Sequence, residues 1–261
     1  MDATTLTLRT PLARAARANR ATAYGLAFDA LGGPLVAVCG LTGGAGTTTL
    51  ALLLANRAAR ESTTPVLLTE ADPARAGLAA LTGRATPRSL AALAAHLHDE
   101  EAPRDTFAEL STGLRLIAAA AQPAPSVERE DLGALLSEAR AAHGLVVVDC
   151  GTSWTADSPA LSTASHIVWT APATASAATR AAHALNAVAP SPGRAWEALA
   201  VTRITPARAV SVRTLRRIAR ARCDQLVLID HDDALATGEQ PHETAHARPL
   251  TSLAGLLQRQ P

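Results

Sequence analysis

The chain has 261 residues, 48% hydrophobic but only 2% aromatic, so it can bury a sizeable core built of Ala, Leu and Val. A net charge of +1 gives no global field for nucleic acid, and no apolar run reaches the about 18 residues of a membrane helix. The three cysteines, Cys39, Cys150 and Cys223, are far apart, which points away from a disulfide framework and towards a reducing, cytoplasmic setting.

Residues 1–33 are Arg-rich and acid-poor and are expected to form an N-terminal extension, as a packed helix or a mobile segment; Arg14, Arg17 and Arg20 exclude a secretory apolar region. From residue 34 to 261 apolar runs alternate with helix-length Ala/Leu stretches. The expected strands are Leu35–Cys39, Pro65–Thr69, Leu114–Ala118, Leu145–Asp149, His166–Thr170, Ala198–Thr202 and Leu226–Ile229. The expected helices are Thr48–Arg60, Pro87–His98, Arg129–Ala142, Thr174–Ala187, Ala209–Arg222 and Leu250–Gln258. This alternation predicts a single α/β domain of three layers, a mostly parallel twisted sheet with helices on both faces. Such sheets bind ligands beyond the carboxyl ends of their strands. Asp72, Asp149, Thr202 and the first glycine-rich turn all fall at the carboxyl ends of expected strands.

That turn carries the strongest chemical signal. The apolar run ending at Cys39 is followed by Gly40-Leu41-Thr42-Gly43-Gly44-Ala45-Gly46-Thr47-Thr48-Thr49 and then by a helix. Strand, glycine turn and helix start are the context of a phosphate-binding loop, in which backbone N–H groups and the helix dipole hold an anion. Thr47 stands where the pattern G-x-x-x-x-G-K-[ST] has lysine. All 24 basic residues of the chain are arginine, as a GC-rich genome would favour. Codon drift would put Arg at position 47, so the neutral Thr there is not explained by it.

Two acidic segments accompany the loop. Glu70 and Asp72 follow the second expected strand ahead of Pro73, and Asp149 ends Val146-Val147-Val148-Asp149. An Asp placed after an apolar strand can hold Mg²⁺ through water. In this order and wording the chain resembles the ParA/MinD family of P-loop NTPases, whose deviant motif K-G-G-x-G-K-[ST]-[ST] lies on Thr42 to Thr49. The family's D-x-D-P switch lies on Glu70-Ala71-Asp72-Pro73, and its second acidic strand on Asp149. The resemblance spans about residues 35–257. It implies ATP or ADP with Mg²⁺ as ligands, nucleotide contacts from Gly43, Gly44, Ala45, Gly46, Thr47, Thr48, Thr49 and Thr202, Mg²⁺ ligation by Thr48 and Asp149, and a catalytic role for Asp72.

The departures fall on the cations. Thr42 replaces the signature lysine, Thr47 the Walker lysine, Glu70 the first switch Asp, and Thr202 the base-contacting Asn. Losing two charge-assisted contacts weakens triphosphate binding by roughly 3–6 kcal/mol if their effects add. Transition-state charge is then left without neutralisation, so ATP hydrolysis is expected to be weak or absent. The expected role is a positioning or assembly factor with protein partners, similar to the atypical TadZ/CpaE branch, as a monomer or a nucleotide-independent dimer. Two alternatives stay open: an active ATPase for DNA partition or cell-pole placement using a substitute arginine (Arg57, Arg60 and Arg75 are nearest in sequence), or a nucleotide-free interaction module.

A basic stripe runs from Arg203 through Arg208, Arg213, Arg216, Arg217 and Arg220 to Arg222, with Val212, Leu215, Ile218 and Ala219 on the opposite helix face. It is either a solvated face or a contact for DNA phosphates or anionic membrane. The pairs His96/His98 and His242/His246 lack the company of a zinc site. Asp230-His231-Asp232-Asp233 is either a loop facing the nucleotide or a solvated acidic turn. Ser153 does not sit in a nucleophile elbow.

Overall fold

The computed structural model describes residues 32–71, 76–95, 107–118, 127–188, 195–204, 209–233 and 247–257. In chain order the strands are β1 (Leu35–Gly40), β2 (Val66–Glu70), β3 (Ala108–Glu109), β4 (Leu114–Ile117), β5 (Leu145–Gly151), β6 (His166–Pro172), β7 (Trp196–Ile204) and β8 (Gln225–Asp230). The helices are α1 (Thr47–Glu61), α2 (Gly77–Thr82), α3 (Leu90–Ala94), α4 (Arg129–Ala142), α5 (Pro159–Thr163), α6 (Ala175–Ala187), α7 (Ala209–Arg222) and α8 (Ala247–Leu257).

The strands form one eight-stranded sheet in the order β3-β4-β2-β5-β1-β6-β7-β8. Every pairing is parallel except β3 with β4. The apolar runs β1, β2, β5 and β6 are buried along their whole length, as strands covered on both faces must be. Side-chain alternation divides each run between two cores. Val36 and Val38 of β1 pack with Leu50, Leu54 and Ala58 of α1 and with Leu253 and Leu257 of α8. Leu35, Ala37 and Cys39 face the other way, with Leu136 of α4, Ala181 and Leu185 of α6, and Leu215 of α7. The fold is therefore the expected three-layer α/β domain. Small residues at Ala51, Ala55 and Ala58 let α1 sit against β5 and β2 without a large side chain between them.

The seven long strands fall where the apolar runs place them. The helix expected over Pro87–His98 is described only as α3, starting at Leu90, because Ser89 caps it: its hydroxyl accepts from the Ala92 N–H at 3.1 Å. Residues 96–100 lie outside the described part, as do both histidine pairs and the N-terminal 31 residues. The edge strand β3, of two residues, and the short helices α2 and α5 carry too few residues for a periodic signal. Among the described residues no helix is long and apolar enough to cross a membrane.

Candidate functional site

The turn between β1 and α1 lies in the middle of the sheet, at its carboxyl edge. Gly44 and Gly46 take φ of 70° and 76°, the left-handed region that glycine enters without steric cost. This turns successive N–H groups towards one concave side. Gly46 caps α1 without a side-chain hydrogen bond, and the first turn of α1 holds no acid. Its leading amides and the positive end of its dipole are thus left for an anion.

Two threonine hydroxyls tie this turn to its neighbours. Thr47 is buried, and its Oγ1 lies 2.8 Å from Oγ1 of Thr170 on β6. It fills the space above Gly40: a Cβ on that glycine would stand 2.6 Å from Thr47 Oγ1 and 2.9 Å from Thr152 Cγ2. Thr202 of β7, also buried, donates to the Ala45 carbonyl at 2.9 Å. Leu41 N–H donates to Thr170 O at 2.8 Å. Trp154 packs edge-on against Trp169 and donates from Nε1 to the Gly40 carbonyl at 2.9 Å, below the turn.

The carboxylates lie on the other side of β1. Glu70 of β2 and Asp149 of β5 are aligned in register, and both are buried. Glu70 Oε1 accepts from the Leu78 N–H at the start of α2. Asp149 Oδ1 accepts from the Gly151 N–H at 2.9 Å. Thr48 Oγ1 and Glu70 Oε1 are each 3.3 Å from the point where a Cβ on Gly77 would stand, so the hydroxyl and carboxylate share one corner beside α2. Among the described residues no group of three or more His, Cys, Asp or Glu side chains is placed to hold a metal ion.

Two cavities flank the turn. One runs from Gly46 and Thr49 past Thr202 to Asp230 and His231 at the end of β8, closed by Leu250 of α8. The other, about 250 Å³, lies on the outer side of Thr42, Gly43 and Gly44. Arg203 borders both.

No protein-family model matches this sequence, and no curated protein does. The fold does have matches among solved structures. A ParA family ATPase from Chlorobium tepidum superposes with a TM-score of 0.66 at 14% identity, over 85% of this chain and 98% of that one. In the MinC:MinD cell division complex of Aquifex aeolicus the matched chain gives 0.67 at 17% identity, over 87% and 97%. An ATP complex of McdA from Cyanothece gives 0.65 at 16% identity, over 88% and 98%. This chain has the ParA/MinD fold.

Within the ParA/MinD fold the sequence-derived residues separate into groups. Gly43 to Thr49 form the turn and the start of α1, and Thr202 reaches them from β7. Asp149 lies inside β5, two residues before its end, and Thr48 is at the second position of α1. Asp72 and Arg75 lie outside the described residues. Arg57 is paired with Glu61 at 3.4 Å, one turn further down α1, so it does not serve the turn.

One of the matched structures, that of McdA, holds ATP. The donors near the turn, a hydroxyl at Thr48 and the carboxylates of Asp149 and Glu70, are the hard oxygens that Mg²⁺ selects, and they fit it. Arg203, the first arginine of the basic stripe, lies at the end of β7, where a strand was expected, apart from α7, and takes a left-handed φ of 55°. One guanidinium nitrogen lies 4.0 Å from the point where a Cβ on Gly44 would stand. Sequence distance hid this, because 159 positions separate residues that the ends of β1 and β7, on either side of β6, bring together. Arg180 of α6, which lines the outer cavity, was missed for the same reason.

Proposed function

We propose that this chain is a ParA/MinD-type protein that binds ATP or ADP weakly with Mg²⁺, hydrolyses it slowly or not at all, and acts as a positioning or assembly factor for secretion, pilus, conjugation or partition machinery. The observation that carries this reading is the neutral, buried Thr47, whose hydroxyl is spent on Thr170 where a catalytic lysine would neutralise phosphate charge. The nest of Gly43 to Thr49 would hold the phosphates, Thr48 and Asp149 the Mg²⁺, and the cleft between Thr202 and His231 the base. Bound Mg²⁺ would neutralise phosphate charge that Asp149 and Glu70 otherwise repel. Asp72 is proposed as the residue that orients water if any hydrolysis persists.

A ParA/MinD-type role fits a protein partner: MinD is solved with MinC. Thr42 at the signature-lysine position supports a monomer, or a dimer that forms without nucleotide. The experiment is ATP turnover together with thermal shift in millimolar ATP, ADP and GTP with Mg²⁺. A shift with negligible turnover is expected. Turnover ordinary for such ATPases, abolished by Thr48→Ala, would overturn the reading, and no shift with any nucleotide favours a pure interaction module. A second reading, an ATPase with a substitute arginine, is favoured by Arg203 beside Gly44. Turnover lost in Arg203→Gln would establish it.

The basic face of α7 is proposed as a contact for DNA or anionic membrane. Arg213, Arg216, Arg217 and Arg220 are exposed while Val212, Leu215 and Ala219 are buried. Gel shift of nonspecific duplex at low salt, lost on replacing the four arginines by alanine, is the expected result. No shift with wild type removes the DNA contact.

A further inference from the structure

From the cavity outside the glycine turn we infer that the chain holds a second oxyanion site, built for a phosphoryl dianion and gripped by Arg203 and Arg180. Its walls come from three places: Thr42 and Gly44 of the turn, Thr174, Ser176 and Arg180 at the start of α6, and Arg203 of β7. Its volume of about 250 Å³ is far above the roughly 10–15 Å³ that one water needs, so a polyatomic anion enters with its hydration.

Three features agree on charge. Two guanidiniums line the cavity, and none of its described lining residues is acidic. Helix α6 points its N-terminus at it, with Thr174 as N-cap accepting from the Ala177 N–H at 3.2 Å and no acid in the first turn. The Thr42 hydroxyl supplies an independent sign of a missing ligand. Thr42 is 9% exposed and lines the cavity, and its Oγ1 is buried without a hydrogen-bond partner. Buried polar groups in proteins are as a rule satisfied; Thr42 Oγ1 is one of five buried side-chain atoms left unbonded among the described residues, and the one of them that lines this cavity. Arg203 is also held in a left-handed conformation, which arginine rarely adopts without a reason in its surroundings.

A phosphoryl group suits the site better than a carboxylate. Two guanidiniums, a hydroxyl and helix amides offer more donors than two carboxylate oxygens can use, while a phosphate has three or four oxygens to share among them. The group has two sources: the terminal phosphate of a nucleotide on the turn, or free inorganic phosphate. Only the first rests on the proposed nucleotide reading.

Titration calorimetry with inorganic phosphate, and separately with ATP and Mg²⁺, tests this on wild type, Arg203→Gln, Arg180→Gln and Thr42→Val, each checked for folding by circular dichroism. Losing one charge-assisted contact is expected to weaken binding about tenfold in each arginine variant, and losing the Thr42 hydroxyl about threefold. If ATP weakens in parallel and phosphate competes with it, the nucleotide is the source. If phosphate weakens while ATP is unchanged and both bind together, free phosphate is the source. The inference is overturned if neither arginine variant changes phosphate or ATP binding by more than about twofold. ATP binding that persists in that case leaves the nucleotide reading standing. Phosphate binding lost in the variants of a protein that never binds ATP supports the site and removes the nucleotide.

Discussion

Restoring the lysine at position 47 separates a missing charge from a misshapen loop. In Thr47→Lys the hydrogen bond to Thr170 Oγ1, now 2.8 Å, is lost. Its loss costs about 0.5–1.5 kcal/mol of stability. The low end is expected, because Thr170 Oγ1 keeps a long contact of 3.4 Å to the Cys39 carbonyl. An ammonium on a flexible stem then reaches the phosphates and adds about 1.5–3 kcal/mol to binding, roughly a 10- to 150-fold gain in ATP affinity. The gain is read by calorimetry, or by the fluorescence of Trp154, whose indole is bonded to the strand end beneath the loop. Thr47→Met, of similar length without the charge, is the control and should gain nothing. A Thr47→Lys protein that folds and binds ATP within about twofold of wild type would refute the argument that the missing cation limits binding.

Three further outcomes follow, two from contacts around the loop and one from the opposite edge of the sheet. Gly40→Ala puts a methyl 2.6 Å from Thr47 Oγ1 and 3.0 Å from the Gly151 carbonyl, and should destabilise the protein by about 1–3 kcal/mol in urea unfolding. Glu70→Ala leaves the Leu78 N–H without its acceptor and should cost about 1–3 kcal/mol, whereas Glu70→Gln keeps the acceptor and costs less. His143 donates from Nδ1 to the Ala139 carbonyl at 2.7 Å while Arg115 approaches Nε2 at 3.4 Å, so the ring is held neutral. Burial is the main cause that pushes its pKa below the usual value of 6.5, and Arg115 adds to it. The unfolded chain therefore takes up the proton first: stability is complete above pH 6.5 and falls as pH drops below it. Melting temperature measured from pH 8 down to about pH 5 should show this fall, and His143→Gln should flatten it.

The layers were legible in the sequence because burial on both faces forces continuous apolar runs, as in Leu145-Val146-Val147-Val148. The loop was legible because glycines at left-handed positions and a strand-to-helix context leave few alternatives. The use of Thr47 was not legible. A neutral residue at the lysine position reads only as a deletion, whereas the structure shows it bonded to a second threonine 123 positions away. Arg203 was legible as basic but not as a neighbour of Gly44, because its position depends on how β7 ends and on a left-handed turn that no sequence rule assigns to arginine. The acid Glu70 read as a switch residue; the structure shows it also capping α2, which is too short to announce itself.

These ties bear on what a nucleotide could switch. A ligand shifts a conformational equilibrium only by the difference in its affinity for the two states. Here the loop already has its binding shape, fixed by Thr47 to Thr170 and by Thr202 to Ala45, and Glu70 is fixed to the start of α2. A nest of amides without lysines contributes too little differential affinity to break these contacts and remake the surface around them. Hydrogen exchange with and without saturating ATP and Mg²⁺ should therefore show added protection over about residues 41–50 and at the residues that touch the ligand, with α2 and α7 unchanged. Protection spreading into Gly77–Thr82 and Ala209–Arg222 would show a nucleotide-driven rearrangement, and would contradict the view that these hydroxyls hold the loop in one state.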